Sequence, residues 1–183
     1  VYFTSLYSSN STTGVSVLTA NAIRGGVKYE LNVSPKVYTF ASTEMEYDQF
    51  QSLDLRFAPA GGLGWHLWKL NDKTYFDFQG GASLNQEFFS TGMKRSSGEG
   101  LAGQEFAYQV TSRTSFKQKF SILPNLTNSG EYRMNFDATT TTALWKWLGW
   151  QFTVSDRFLS NPVIGRKKND LLLTTGLRIT FAK

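Results

Sequence analysis

The sequence predicts an all-β protein, an antiparallel up-and-down β-barrel of about ten strands that crosses a membrane. Long stretches alternate between apolar and polar residues with a period of two, which places the two sets on opposite faces of a strand. The 183 residues contain no apolar run of the ~18 residues that a spanning helix requires. Short turns alternate with longer loops, as they do in membrane barrels. Together these features favour strands that cross a bilayer over helices that do so.

The central hairpin, residues 53–88, shows the clearest alternation. Its first arm sets an apolar row from Leu53 to Leu67 against a polar row that includes Arg56 and His66. Soluble strands usually span ~5–6 residues, and this pattern persists for two to three times that length. Strands that cross a bilayer need ~9–11 tilted residues. The hairpin therefore predicts membrane strands, although Pro59 lies inside one arm and cannot donate to a ladder.

The rest of the chain divides into further strands and connections. We predict strands at residues 1–8, 17–33, 37–47, 102–112, 116–122, 131–144, 148–158 and 171–181, with loops at 9–14, 90–100, 124–130 and 161–168. Short turns fall at 34–36, near 51, at 71–73, near 114 and near 146. The even strand number places both termini on the short-turn side. Five aromatic residues beside short turns are expected to form an interfacial girdle: Trp68, Tyr75, Phe116, Trp145 and Trp147.

Composition excludes several other classes of protein. The chain has no cysteine, which removes disulfides, metal thiolates and cysteine nucleophiles. The formal charge is +5, but the basic residues alternate with apolar ones instead of clustering, so we expect no nucleic-acid partner. No break in composition divides residues 1–183, which predicts one domain. The start at Val1 without a signal peptide is the expectation for a mature or clipped chain.

Charged residues on the polar faces are expected to point into the barrel. The predicted lumen-lining set is Arg24, Glu44, Glu46, Asp54, Arg56, His66, Asp77, Glu105, Arg113, Arg133, Asp137 and Arg178. Further charges on the same faces are Glu30, Asp48, Lys117, Lys119 and Arg157. Such a lumen either passes a small polar solute or is plugged by opposite charges that satisfy one another. The plugged reading is favoured, because ten strands enclose little more than side chains.

A second group of basic residues lies in the predicted long loops. Lys94, Arg95, Arg166, Lys167 and Lys168 could bind the phosphates of lipid headgroups through charge-assisted hydrogen bonds. Ordinary solvated loop charge is the simpler interpretation of these residues. The one histidine, His66, is expected to be hydrogen-bonded in the lumen, since no nucleophile motif or metal-ligand spacing accompanies it.

Several segments resemble a known family. These are LDLRFAPAGGLGWHL, the Gly80-Gly81 and Gln86-Glu87-Phe88 positions, LPNLTNSGEYRMNFDATTTTAL and the ending KKNDLLLTTGLRITF. They resemble the YdiY-like bacterial salt-induced outer-membrane proteins, domain of unknown function 481. The resemblance implies a barrel of the bacterial outer membrane and implies no catalytic residues. Members of that family usually begin with further strands, so the resemblance implies twelve strands if N-terminal ones are missing here.

The sequence as a whole predicts an outer-membrane barrel of structural or narrow-pore type with a charged lumen, in an envelope assembly or alone. It is expected to be no enzyme and to need no cofactor or metal. Its expected partners are outer-membrane lipid, other envelope proteins and copies of itself. The alternatives are a soluble barrel or sandwich that binds a ligand inside, and an outer-membrane lipid hydrolase that uses His66.

Overall fold

The computed structural model describes residues 2–12, 15–162 and 167–179, and it is all-β apart from one short 3₁₀ helix. Side chains of residues 1–4 and 6–20 are outside this description. The ten strands are β1 (Tyr2–Thr12), β2 (Val15–Asn32), β3 (Val37–Asp48), β4 (Leu53–Asn71), β5 (Thr74–Phe89), β6 (Lys94–Gln109), β7 (Thr114–Pro124), β8 (Tyr132–Ala143), β9 (Leu148–Leu159) and β10 (Asn169–Ile179). The helix, Gln49–Gln51, lies between β3 and β4.

Each strand pairs antiparallel with the next one along the chain, which gives an up-and-down sheet in the order β1 to β10. The sheet curls into a barrel, because the guanidinium of Arg24 on β2 lies 3.6 Å from the carboxylate of Asp170 on β10. The contact places β10 close to β2, the strand that pairs with β1, and so brings the two ends of the sheet together. The fold is therefore the antiparallel barrel that the alternation predicted.

The two faces of the sheet differ in chemistry. One face carries exposed apolar side chains, among them Leu31, Leu63, Phe78 and Leu173. The other face carries the ion pairs between neighbouring strands, such as that between Arg56 and Glu87. Because the pairs across the sheet lie on the concave side, we call the first face outward and the second inward. Each strand alternates between them, as period-two sequences do.

One bulge in β4 changes the faces at the start of that strand and shifts its pairing with both neighbours. The pairing with β3 shifts between Glu46 and Asp48, and the pairing with β5 shifts between Leu53 and Leu55. As a result Leu53, predicted on the outward row, is 1 % exposed. Asp54 lies in the bulge and is exposed. A bulge adds one residue to a strand and moves every later side chain to the other face, which strict alternation cannot anticipate.

Pro59 is accommodated without a change of register. It lies opposite Thr43 of β3, and its carbonyl accepts the hydroxyl of Ser83 at 3.1 Å. Pairing of β4 with β5 skips Ala58 and Pro59 and resumes at Ala60 in the earlier register. A missing N–H therefore costs a local ladder contact and leaves the strand continuous.

Two predicted loops are wrong. Residues 94–100 of the predicted loop 90–100 belong to β6, which leaves a connection of residues 90–93 with Gly92 at φ 81°. Residues 9–12 of the predicted loop 9–14 belong to β1, and residues 13–14 lie outside the described residues. Glycine and serine marked these stretches as loops, and the ladder to the neighbouring strand overrides that local tendency.

Exposed aromatic residues gather at the short-turn end. Trp68, Trp145 and Trp147 are 47 %, 64 % and 57 % exposed, and Phe116 is half-buried on the outward face beside Phe106. Tyr75 departs from the predicted girdle, because it points inward and donates its hydroxyl to Glu105. Across the described segments there is no helix long and apolar enough to traverse a bilayer.

Candidate functional site in the barrel interior

An ion-pair relay runs across the inward face near the long-loop end. Arg24 donates to Glu46 at 2.6 Å and lies 3.6 Å from Asp170. Arg56 bridges Glu46 and Glu87, and its distance to Glu87 is 2.7 Å. The relay joins β2–β5 through neighbouring ladder positions, with Arg24 opposite Glu46 and Arg56 opposite both carboxylates, and it reaches β10 through Asp170. Alternating charges of this kind pair with one another and hold the neighbouring strands together.

An aromatic pair fills the lumen beside β3 and β4. Tyr38 and Phe40 point inward and are 3 % and 4 % exposed. They lie opposite Gly64 and Gly62, and a Cβ at Gly64 would overlap the Tyr38 ring. The glycines of β4 therefore provide the space that these rings occupy.

A lysine covers the aromatic pair from the opposite side. The Lys28 ammonium lies 4.9 Å from the centre of the Phe40 ring and 5.7 Å from that of Tyr38. It donates to Gln79 on β5 at 2.8 Å, three strands away from its own, and pairs with Glu30 at 2.7 Å. Since Lys28 spans β3 and β4, this part of the lumen is packed with side chains.

His66 belongs to the same packed region. Its Nδ1 lies 2.8 Å from the carboxylate of Asp77, and its Nε2 lies 3.4 Å from Asn32. The ring centre is 5.0 Å from that of Tyr38. Both ring nitrogens thus have partners that are side chains of the barrel, which fits a structural lumen residue.

Three further charged sites, with four ion pairs, lie on the inward side of β6–β9. Glu99 and Arg133 form a buried bidentate pair with bonds of 2.7 to 3.0 Å. Asp137 accepts from Arg157 at 2.8 Å and from Ser155 at 2.6 Å. The two members of each pair lie either on adjacent strands or on strands separated by one other strand.

The third of these sites contains two lysines and one acid. The Glu105 carboxylate pairs with Lys117 at 2.5 Å and with Lys119 at 3.0 Å. The Tyr75 hydroxyl donates to the same carboxylate and accepts from Lys117 at 3.1 Å. Both lysines share this carboxylate, and the neighbouring carboxylates, Asp77 opposite Glu105 and Asp137 opposite Lys119, pair with His66 and Arg157.

The interior has two unlike walls. We call the inward side of β3–β6 the filled wall, because among the described residues every buried side chain except Leu123 and Arg133 belongs to these strands. We call the other side the open wall. On β7–β10 its described inward side chains other than the buried Leu123 and Arg133 are half-buried or exposed, among them Lys117, Lys119, Asp137, Thr139, Thr141, Gln151, Thr153, Ser155, Arg157, Asp170, Leu172, Thr174 and Arg178.

The structure brings eight of the twelve predicted lumen residues into the networks described above. Arg113 lies in the turn of residues 110–113 and is exposed, so its predicted lining position is wrong. Asp54 lies in the β4 bulge, outside the inner rows, which is a second error. Glu44 and Arg178 point inward and are exposed.

The predicted headgroup residues do not form one loop cluster. Lys94 begins β6 and lies 5.7 Å over the Phe88 ring. Arg95 points inward, stacks on Phe89 and donates to the carbonyl of Asn161 at 3.2 Å, so its predicted loop position is wrong. Lys167 and Lys168 are exposed before β10, and Arg166 lies outside the described residues.

Sequence reasoning missed several members of the interior. Glu87 and Glu99 complete the buried ion pairs, and Tyr38, Phe40 and Lys28 fill the lumen. Tyr38 and Phe40 lie on the same face of β3 as Glu44 and Glu46, because all four are alternate positions of that strand. Alternation alone would therefore have placed these aromatic rings inside. Among the described residues, no group of His, Cys, Asp or Glu side chains is arranged to hold a metal ion.

Comparison with known proteins identifies the fold and a family. The family described as protein of unknown function, DUF481, matches residues 2–181. No curated protein matches the chain. A solved structure titled "NanC porin structure in rhombohedral crystal form" is similar over 98 % of this chain and 93 % of that one, with a TM-score of 0.60 and 12 % identity. At that identity the similarity supports the barrel fold alone.

Proposed function

This chain belongs to the DUF481 family of proteins of unknown function, and we propose that it is a barrel of the bacterial outer membrane. In this proposal the protein is of structural or narrow-pore type with a charged lumen. The YdiY-like resemblance in the sequence and the barrel fold that it shares with a porin point in the same direction.

The observation that carries the proposal is the outward face. Large apolar side chains there remain exposed on nearly every strand with described side chains, including Leu31 at 53 %, Leu63 at 47 %, Leu173 at 60 % and Leu177 at 69 %. A soluble monomer rarely exposes a contiguous apolar surface of this extent. The same band ends in tryptophans at the short-turn rim, where membrane barrels place aromatic residues.

The interior favours a narrow lumen over a wide channel. Tyr38, Phe40 and Lys28 pack part of it, and ion pairs cross its inner surface. An opening beside this packing would pass only small solutes. The expected partners are outer-membrane lipid around the barrel and, for an envelope assembly, other envelope proteins or further copies of the chain.

We propose no enzymatic role. His66 is hydrogen-bonded to Asp77 and Asn32 and its ring lies against that of Tyr38, an arrangement that serves packing. Replacement of His66 by alanine is expected to leave the acylation pattern of outer-membrane lipids unchanged in cells that overproduce the protein. A pattern that differs between the wild-type protein and His66→Ala would favour the hydrolase alternative.

The proposal is tested by refolding the purified chain with and without detergent. We expect a β-rich monomer only in micelles, with a gel mobility that changes on heating because the folded barrel resists SDS. Circular dichroism and unboiled electrophoresis measure both properties. A β-rich, monomeric protein in plain buffer would contradict the membrane assignment and make the outward face an interaction surface or a misassigned core.

A further inference from the structure

The unequal walls of the interior restrict where a solute can travel. On the filled wall, Ser83, Asn85, Glu87 and Glu99 are each 4–7 % exposed. On the open wall, the inward side chains of β9 and β10 are half-buried or exposed along the described length of both strands. Water and solutes therefore reach one side of the lumen and are excluded from the other.

The accessible side is lined by hydroxyl and amide groups. Thr139 and Thr153 lie 3.1 Å apart through their hydroxyls, and Gln151 donates to Thr153 at 3.3 Å. Thr174 of β10 lies opposite Thr153 on the ladder and continues this row of hydroxyl groups. These groups can replace the hydration of a small solute without binding it through a full charge.

The accessible side of the lumen is positively charged in the half that lies nearest the short turns. Lys117 and Lys119 are 44 % and 51 % exposed and share the one carboxylate of Glu105. Arg178 is exposed and forms no ion pair with a described residue. The remaining arginines of this wall are balanced, Arg157 by Asp137 and Arg133 by Glu99. A net positive wall in a narrow space concentrates anions.

From this geometry we infer a one-sided path for small anions along the open wall, in which Lys117 and Lys119 determine charge preference. The inference rests on the proposed barrel and goes further, since it assigns the path to β7–β10 and the selectivity to two residues. Tyr38, Phe40 and Lys28 lie on the other side of this path and fill the space on the inward side of β3 and β4.

Single cysteines test the path directly, because the chain has none of its own. Thr153→Cys reports the open wall and Ser83→Cys reports the filled wall. Both replace a hydroxyl by a thiol of similar size in the middle of a strand. Each folded variant is treated with an anionic and a cationic methanethiosulfonate, and the labelling rates are divided by those of the SDS-denatured, heated protein.

We expect Thr153→Cys to react at least about tenfold faster than Ser83→Cys, which follows from their difference in exposure. At Thr153→Cys the anionic reagent should be favoured about threefold or more, and Lys117→Gln with Lys119→Gln should remove that preference. Equal rates at the two sites would overturn the one-sided path. A cationic preference, or an anionic one that survives loss of both lysines, would overturn their role.

The outcome is independent of the membrane proposal. Unboiled electrophoresis of the same samples confirms that each variant is folded before the rates are compared. If the protein instead folds in buffer without detergent, the membrane assignment fails while the difference between the two cysteines still measures the interior. A failure of the path and a failure of the membrane proposal therefore give different results.

Discussion

The filled and open walls are built from the same alternating strands and differ in what they place inside. The filled wall sets glycines of β4 opposite the rings of β3, and it buries complete ion pairs between strands. The open wall sets short hydroxyl side chains against one another and leaves its lysines half-exposed. The difference shows that side-chain volume, and not strand geometry, decides which part of a small barrel is packed.

The largest expected effect is a difference in the free energy of unfolding lost when a buried ion pair and an accessible ion pair are broken. Arg133→Ala leaves the Glu99 carboxylate, 4 % exposed, buried without its partner, and should lower the free energy of unfolding by ~3–5 kcal/mol. Arg157→Ala is the matched change on the open wall, where Arg157 and Asp137 are 27 % and 33 % exposed, and should cost at most ~1 kcal/mol.

Denaturant titrations in detergent measure both values. Similar losses for the two variants would mean that the walls do not differ in burial as described.

A charge on the outward face tests the lipid contact of that face. Phe78 is 41 % exposed on the outward side opposite Trp65. Phe78→Arg should destabilise the barrel in vesicles by ~2–4 kcal/mol if the residue lies near the bilayer centre. Thr153→Arg, which enters the open wall, is the control and should have a clearly smaller effect. The reverse order would mean that the two faces are interchanged.

A methyl group tests the packing of the aromatic pair. Gly64→Ala would overlap the Tyr38 ring and should cost ~1–3 kcal/mol. Gly176→Ala meets no atom within 4 Å and should be close to neutral. Combining Gly64→Ala with Tyr38→Ala should recover part of the loss, since the clash is removed. Strict additivity of the two changes would contradict their contact.

The smallest expected effect concerns an exposed pair at a short turn. Lys69 lies 3.1 Å from Asp72, and these side chains are 43 % and 93 % exposed. Lys69→Ala should change the free energy of unfolding by less than ~0.5 kcal/mol, and salt should reduce that further. A loss as large as that of Arg133→Ala would show that exposure does not set the energetic order.

Most of the fold could be predicted from the sequence, because the period of two is a local property of each strand. The start of β6 could not: Gly98 and Gly100 marked it as a loop, and only the ladder to Asn85 and its neighbours makes it a strand. The bulge at Leu53 could not be predicted either, since one extra residue leaves no mark in composition.

The candidate site was partly predictable for a similar reason. The inward position of Arg24, Glu46 and Arg56 follows from the alternation of faces along each strand. Their pairing follows once the register between the strands is known. The contact of Arg24 with Asp170 depends on the closure of the sheet, which no local pattern contains. The role of Lys28 likewise depends on a reach across two strands to Gln79.

The most direct test of the central claim, that the outward face contacts lipid, uses the tryptophans. Four of the five, Trp68, Trp145, Trp147 and Trp150, are exposed near the short turns, and Trp65 is exposed opposite Phe78, so most of the tryptophan fluorescence reports that rim. The barrel is refolded into vesicles whose lipids carry bromine at different depths of the acyl chain. We predict strong quenching that is greatest for bromines near the headgroups. Emission that is unaffected by bromine at every depth would contradict the account.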